Sequence, residues 1–261
     1  MTKGSKTTGD TRGCAGCATG SGHDIDFTMA FQPIIDITTG TVFAQEALVR
    51  GPGGSGARGV LAQVNDGNRY RFDQNCRVKA VEWAARLGFD SHLSINFMPN
   101  AVYQPERCIQ TTLEAAHRVG FPVERIILEF NEGEQVLDHQ HLRNIIDHYQ
   151  AIGMKTAIDD FGAGFSGLNL LADVQPDYVK LDMALIRAID SSRARRAIVD
   201  GVMRMCQALD ITVIAEGVET EGELRVLRDI GIHLFQGWYF AAAAVEAAAS
   251  IPLDRLRITP H

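Results

Sequence analysis

The 261-residue chain has no apolar run of the ~18–20 residues that a helical membrane span needs. Its first residues are rich in Gly, Ser and Thr and lack the apolar core of a secretory signal. Basic charge is in short supply: 25 Lys and Arg stand against 32 Asp and Glu, for a net charge of −7. That balance argues against a broad basic face, so neither a nucleic-acid polymer nor a membrane is an expected partner. Were the ligand a phosphate ester, something other than net charge must attract it, and a bound metal is the obvious candidate. Cysteine is scarce too. Five is an odd number in a chain too long to need disulfide staples, which points to a reducing, cytoplasmic compartment. There is no internal repeat and no linker to a second domain.

What is present is ordinary globular composition, 46% hydrophobic and 22% charged, which excludes a mainly disordered chain. Residues 1–24 read as a flexible tail of small residues, with residues 25–261 as one domain. The tail holds Cys14 and Cys17, a lone C-x-x-C with only His23 nearby. It is a pair without a structural role in this chain, half of a metal clip, a redox pair or an intermolecular site. Beyond it, short β-branched and aromatic segments alternate with longer segments of helical period. Strands are predicted at 29–36, 42–50, 93–97, 125–130, 156–160, 178–181, 212–215 and near Leu234. Helices are predicted at 58–65, 69–87, 104–119, 139–152, 193–209 and 221–229. A short Gly-containing turn joins the first two strands, which are therefore antiparallel. The later strand–helix alternation predicts a parallel sheet. Eight strands fit an α/β fold of the closed (β/α)8 kind with an irregular start, and an open doubly wound sheet is the alternative.

Polar residues cluster at one end of these strands. Glu46 lies near the end of the second and Asn96 ends the third. Glu129 and Glu132 close the fourth, Asp159 and Asp160 the fifth, and Lys180 and Asp182 the sixth. Glu216 and Glu219 follow the seventh, and Gln236 the eighth. In a barrel this is one rim, the one on which active sites are built. Carboxylates this dense repel one another unless a cation neutralises them. Oxygen donors with one amide suit Mg2+ or Mn2+ rather than zinc. The adjacent acids Asp159 and Asp160 fit a turn, or two neighbouring metals of the kind that hydrolyse phosphodiesters. The glycines at 162, 164 and 167 make a loop that can approach a ligand closely. A buried Lys180 needs a partner, whether as an ion pair or to hold a water or a phosphate. Arg50 can fork onto a phosphate, and Gln32 and Gln236 offer amides to a base edge.

Together these motifs resemble the EAL domain of bacterial cyclic-di-GMP phosphodiesterases from about Phe27 to Phe240. They are Phe31-Gln32-Pro33-Ile34, Glu46-Ala47-Leu48 with Arg50, Asn96, Leu128-Glu129-Phe130-Asn131-Glu132, Asp159-Asp160-Phe161-Gly162, Val179-Lys180-Leu181-Asp182, Glu216-Gly217-Val218-Glu219 and Gln236-Gly237. The resemblance implies a modified TIM barrel with an antiparallel first strand. It implies hydrolysis of cyclic-di-GMP to linear 5′-pGpG with two Mg2+ or Mn2+ ions and a homodimer, with a regulatory protein partner as a further expectation. Ca2+, larger and less demanding of octahedral geometry, is expected to bind and inhibit. By position, Glu46, Asn96, Glu129 and Asp159 resemble ligands of one metal. Asp160 and Glu216 resemble ligands of the other, with Asp159 shared. Glu216 resembles a general base and Lys180 the residue that orients water. Gln32, Arg50 and Gln236 resemble substrate contacts, Glu132 a loop anchor, and Asp182 and Glu219 supporting residues. Arg50-Gly51-Pro52-Gly53 departs from the usual Arg-Trp and is similar to EAL domains attached to blue-light sensors, some of which act by protein contact instead of catalysis. The run at Ala241–Ala244 departs from the family's last turn.

Overall fold

The computed structural model describes residues 25–134, 139–164 and 167–256. Cys14, Cys17, His23 and the expected tail lie outside the described residues. Among the described residues nine strands follow one another: β1 (Thr28–Asp36), β2 (Thr41–Arg50), β3 (His92–Asn96), β4 (Ile126–Asn131), β5 (Lys155–Phe161), β6 (Tyr178–Leu181), β7 (Thr212–Ala215), β8 (Leu234–Gln236) and β9 (Ala244–Val245). Strands β2 to β8 pair in sequence order, all parallel. β1 is antiparallel to both β2 and β8 and so closes an eight-stranded barrel, which excludes the open sheet. This is a modified TIM barrel, with the long helices Arg69–Arg86, His139–Ala151, Arg193–Ala208 and Glu221–Ile230 in its connections.

Strand periodicity sorts the apolar residues into two cores. Outward-facing Leu128, Phe130, Ile158, Val179 and Val213 join the large cluster shared with the helices. Inside the barrel, Ile34, Ala44, Ile127, Ala157, Ile214 and Leu234 form a separate plug, packed by Phe43 and Tyr178. Two residues nearer the rim, the same inward face carries Glu46, Glu129, Asp159, Lys180, Glu216 and Gln236. On the reversed β1 it carries Gln32. The barrel is thus an apolar floor beneath a polar layer.

Several predicted boundaries are corrected. The strand predicted at 125–130 starts at Ile126, because Val123–Arg125 winds into a 3-10 turn behind Pro122. The helix predicted at 104–119 is two, Pro105–Cys108 and Gln110–Val119, and the one at 58–65 is Ala57–Leu61. β2 ends at Arg50 as predicted, so Glu46 lies in mid-strand and not near the strand's end. Short helices at Gly167–Asp173 and Met183–Ile186 and strand β9 were not predicted. Ala244, within the alanine run, pairs with Phe31.

Truncating the floor tests this layering. Ile214→Ala is expected to lower the unfolding free energy by about 2–5 kcal/mol, as fully buried large-to-small changes do. Denaturant titration reads it, and no loss would mean that the floor is not packed.

Candidate active site

Lys180 is the centre of the polar layer. Its side chain is fully buried, an expensive place for an ammonium unless charge surrounds it. Nζ lies 2.6 Å from Glu216 Oε1, 2.9 Å from Asp159 Oδ1, 3.0 Å from Glu129 Oε2 and 3.6 Å from Glu46 Oε1. Burial works against its charge, but Asp159, Glu129, Glu216 and Glu46 together hold its pKa well above the ordinary lysine value. It remains an ammonium.

One ammonium does not balance the carboxyls around it. Burial, reinforced by Glu46 and Asp159 and opposed by Lys180, pushes Glu129 up to about 8. Burial, with Asp159 and Glu46, likewise holds Glu216 well above the usual carboxylate range despite Lys180. Burial and Asp159 raise Asp160. Oxygens of Glu46, Glu129 and Asp159 lie within 4.8 Å of one another, and so do those of Asp159, Asp160 and Glu216. Asp159 belongs to both triads. Its Oδ1, although close to Lys180, is buried without a hydrogen bond of good alignment. An oxygen-only set with a surplus of negative charge fits hard divalent cations.

Neighbouring residues of a regular strand point to opposite faces, yet Asp159 and Asp160 both serve the rim. Two features allow it. The β5–β6 pairing shifts register between Ile158 and Phe161. Asp160 is left-handed, with φ 54°, a conformation Asp tolerates better than most residues. The Asn131 amide donates to Asp160 Oδ2, and the Ser94 hydroxyl donates to Glu129 Oε1. Neither Ser94 nor Asn131 was among the predicted site residues. Ser94 sits two residues before Asn96 on the inward face of β3, which is the signal that identifies it.

The remaining predicted residues spread outward. Asn96 Nδ2 donates to Glu46 Oε1 at 3.3 Å, and Gln236 Nε2 donates to Glu46 Oε2 at 2.6 Å. Gln32 donates to the Ala241 carbonyl, and Arg50 donates to its neighbour Val49. Glu132 accepts from the amides of Gly162 at 2.6 Å and Gly167 at 2.7 Å, bracketing the glycine loop. A Cβ at Gly164 or Gly167 would lie 2.9 Å from Glu132 Oε1, so glycine at these two positions lets the backbone approach that carboxylate without displacing it. Asp182 caps the helix Met183–Ile186, and Glu219 pairs with Arg187. Neither touches Lys180.

Two cavities of about 410 and 400 Å3 open on the layer, and Glu46, Leu48 and Asp160 line both. Arg50 and Asn96 line the first, and Gln32, Glu216 and Gln236 the second.

The family model described as the EAL domain matches residues 21–243. The chain belongs to the EAL domain family. It is 34% identical over 223 residues to the blue light- and temperature-regulated antirepressor BluF of Escherichia coli K12, covering 85% of this chain and 55% of BluF. It thus spans little more than half of that relative. A standalone EAL protein of Vibrio cholerae O395, solved with cyclic-di-GMP bound, superposes with a TM-score of 0.87 at 50% identity, over 90% of this chain and 99% of that one. Klebsiella pneumoniae BlrP1, solved with manganese and cyclic-di-GMP, gives a TM-score of 0.80 at 36% identity, over 84% and 56%.

The electrostatics of the EAL site set a pH test. In the metal-free chain Glu129 holds its proton up to about 8 when folded, against an ordinary value of 4.5. The stability from that raised pKa is complete below the ordinary value and lost as pH rises toward 8. Metal-free chain is therefore expected to melt lower at pH 8 than at pH 5. Mg2+ or Mn2+ should raise the melting temperature more at pH 8, where fewer protons must be displaced. Calorimetric scans read both, and an absent or reversed metal effect contradicts the site.

Proposed function

We propose that the chain is a metal-dependent phosphodiesterase that hydrolyses cyclic-di-GMP to linear 5′-pGpG, with residues 25–261 as its catalytic domain. The observation that carries this is the pair of acidic triads sharing Asp159 around Lys180, with two cavities lined by their carboxylates. Glu46, Asn96, Glu129 and Asp159 would hold one Mg2+ or Mn2+, and Asp160 and Glu216 the other, with Asp159 between. Two such ions supply charge for the phosphoryl oxygens and a water acidic enough to attack. BlrP1 with manganese and cyclic-di-GMP supports that choice of ion and ligand.

The chain's own groups do the rest. Lys180 Nζ holds the carboxyls in register and donates toward the attacking water. Glu216, 2.6 Å from that ammonium, accepts the water's proton. The new bond is from water oxygen to phosphorus and the broken one is from phosphorus to the 3′ oxygen, which leaves as a hydroxyl on receiving back the proton that Glu216 took, and the phosphate stays on the 5′ side. Arg50 in one cavity and Gln32 and Gln236 in the other bind the dinucleotide. Glu132 fixes the loop after Asp160 through the Gly162 and Gly167 amides. Asp182 and Glu219 support the rim through the helix cap and the Arg187 pair. A cytoplasmic homodimer under a regulatory protein partner is part of the same reading.

The likeness to an antirepressor favours a second reading, a catalytically silent domain that binds the nucleotide or docks on a regulator. Completeness of the acidic set weighs for the enzyme. Incubation with cyclic-di-GMP and Mn2+, followed by chromatography, is expected to give 5′-pGpG, abolished by chelator. Binding without turnover would favour the silent domain. Ca2+ should bind and support little turnover, since it relaxes the octahedral geometry; full turnover in Ca2+ contradicts the assignment. Glu46→Ala and Lys180→Ala are each expected to lower kcat at least ~100-fold in folded protein, and near-normal rates would remove the roles given to them.

A further inference from the structure

Trp238 is 70% exposed, unusual for the largest apolar side chain in a folded domain. It is not on a loose segment. Gln236-Gly237-Trp238-Tyr239-Phe240 is clamped to the loop after β7. The Val218 amide donates to the Gln236 carbonyl at 3.0 Å, and the Tyr239 amide donates to the Val218 carbonyl at 2.9 Å. The Phe240 and Ala241 amides close the turn on the Gly237 carbonyl. A Cβ at Gly237 would fall 2.1 Å from the Val218 carbonyl oxygen, so only glycine permits this approach. Backbone is thus committed to holding an indole in the open. Among the described residues no aromatic ring or cation stacks on it, whereas the other tryptophan, Trp83, carries the Arg86 guanidinium 4.5 Å from its ring.

Trp238 lines the same cavity as Glu216, Gln236 and Gln32. Met183, 47% exposed, lines it too and packs across Gly217. An exposed ring face on a fixed turn, beside amides and next to a site built for a phosphodiester, matches the way proteins hold unpaired bases. Stacking supplies affinity, and the pre-set turn avoids an ordering cost.

We infer that Trp238 is the stacking platform for one purine base of a cyclic dinucleotide, and so a specificity-determining residue of this site. The inference rests on the functional reading above and holds whether the bound dinucleotide is cleaved or only sensed. Its test is calorimetric titration of the full chain with cyclic-di-GMP in Ca2+, paired with tryptophan emission. Trp238→Ala is expected to raise Kd roughly tenfold, as loss of one base–aromatic stack does. Trp238→Phe, which keeps a ring, should stay within about threefold. The wild-type chain should lose emission on binding, and Trp238→Phe, with Trp83 alone, should not respond. Unchanged Kd in Trp238→Ala while the wild type binds would overturn the inference and leave the functional reading standing. No binding by the wild type would overturn both. Retained affinity together with a loss of self-association in Trp238→Ala would make the indole a protein contact and also overturn the stacking role.

Discussion

The buried ammonium of Lys180 is the constraint to which the rest of the site answers. Placed without charge around it, a lysine at this depth would lose its proton or prevent folding. Placed among Glu46, Glu129, Asp159 and Glu216 it is held charged, and it draws to one point side chains from β2, β4, β5 and the residue after β7. The bargain is incomplete, because the carboxyls outnumber it. Glu129 and Glu216 answer by keeping protons well above the usual carboxylate range. A divalent cation would replace those protons, so the strain of the metal-free layer and the metal binding proposed for it have one origin.

The barrel serves this arrangement through simple geometry. A period of two sends every second residue inward, so each strand that gives the floor an apolar side chain gives the layer above it a polar one. The β5 irregularity and the left-handed Asp160 are the exception, and they turn one carboxylate per strand into two. That local departure makes a second triad available. Strain concentrated at such a residue is consistent with a site in use.

Much of this was legible in the sequence. Alternating strands and helices predicted the barrel, the Gly40 turn predicted an antiparallel β1, and acids at strand ends marked the rim. What was not legible depends on register between distant segments. Ser94 and Glu129 are 35 residues apart, Asn131 and Asp160 29 apart, and Glu46 and Gln236 190 apart. No local pattern specifies such contacts. Likewise Asp182 reads as one more rim acid until its carboxylate is seen to cap a helix only four residues long. Trp238 is turned outward by the clamp between Gly237 and Val218, a contact between segments that local sequence does not specify.

The likeness to an antirepressor and to structures holding cyclic-di-GMP leaves the acidic layer as the feature that separates catalysis from docking. The most direct measurement is the Mn2+ stoichiometry of the metal-stripped chain, by titration calorimetry in two buffers of different ionisation enthalpy. The account predicts two ions per chain, with release of protons from the raised carboxyls as they bind. No bound metal, or binding without proton release, would contradict it.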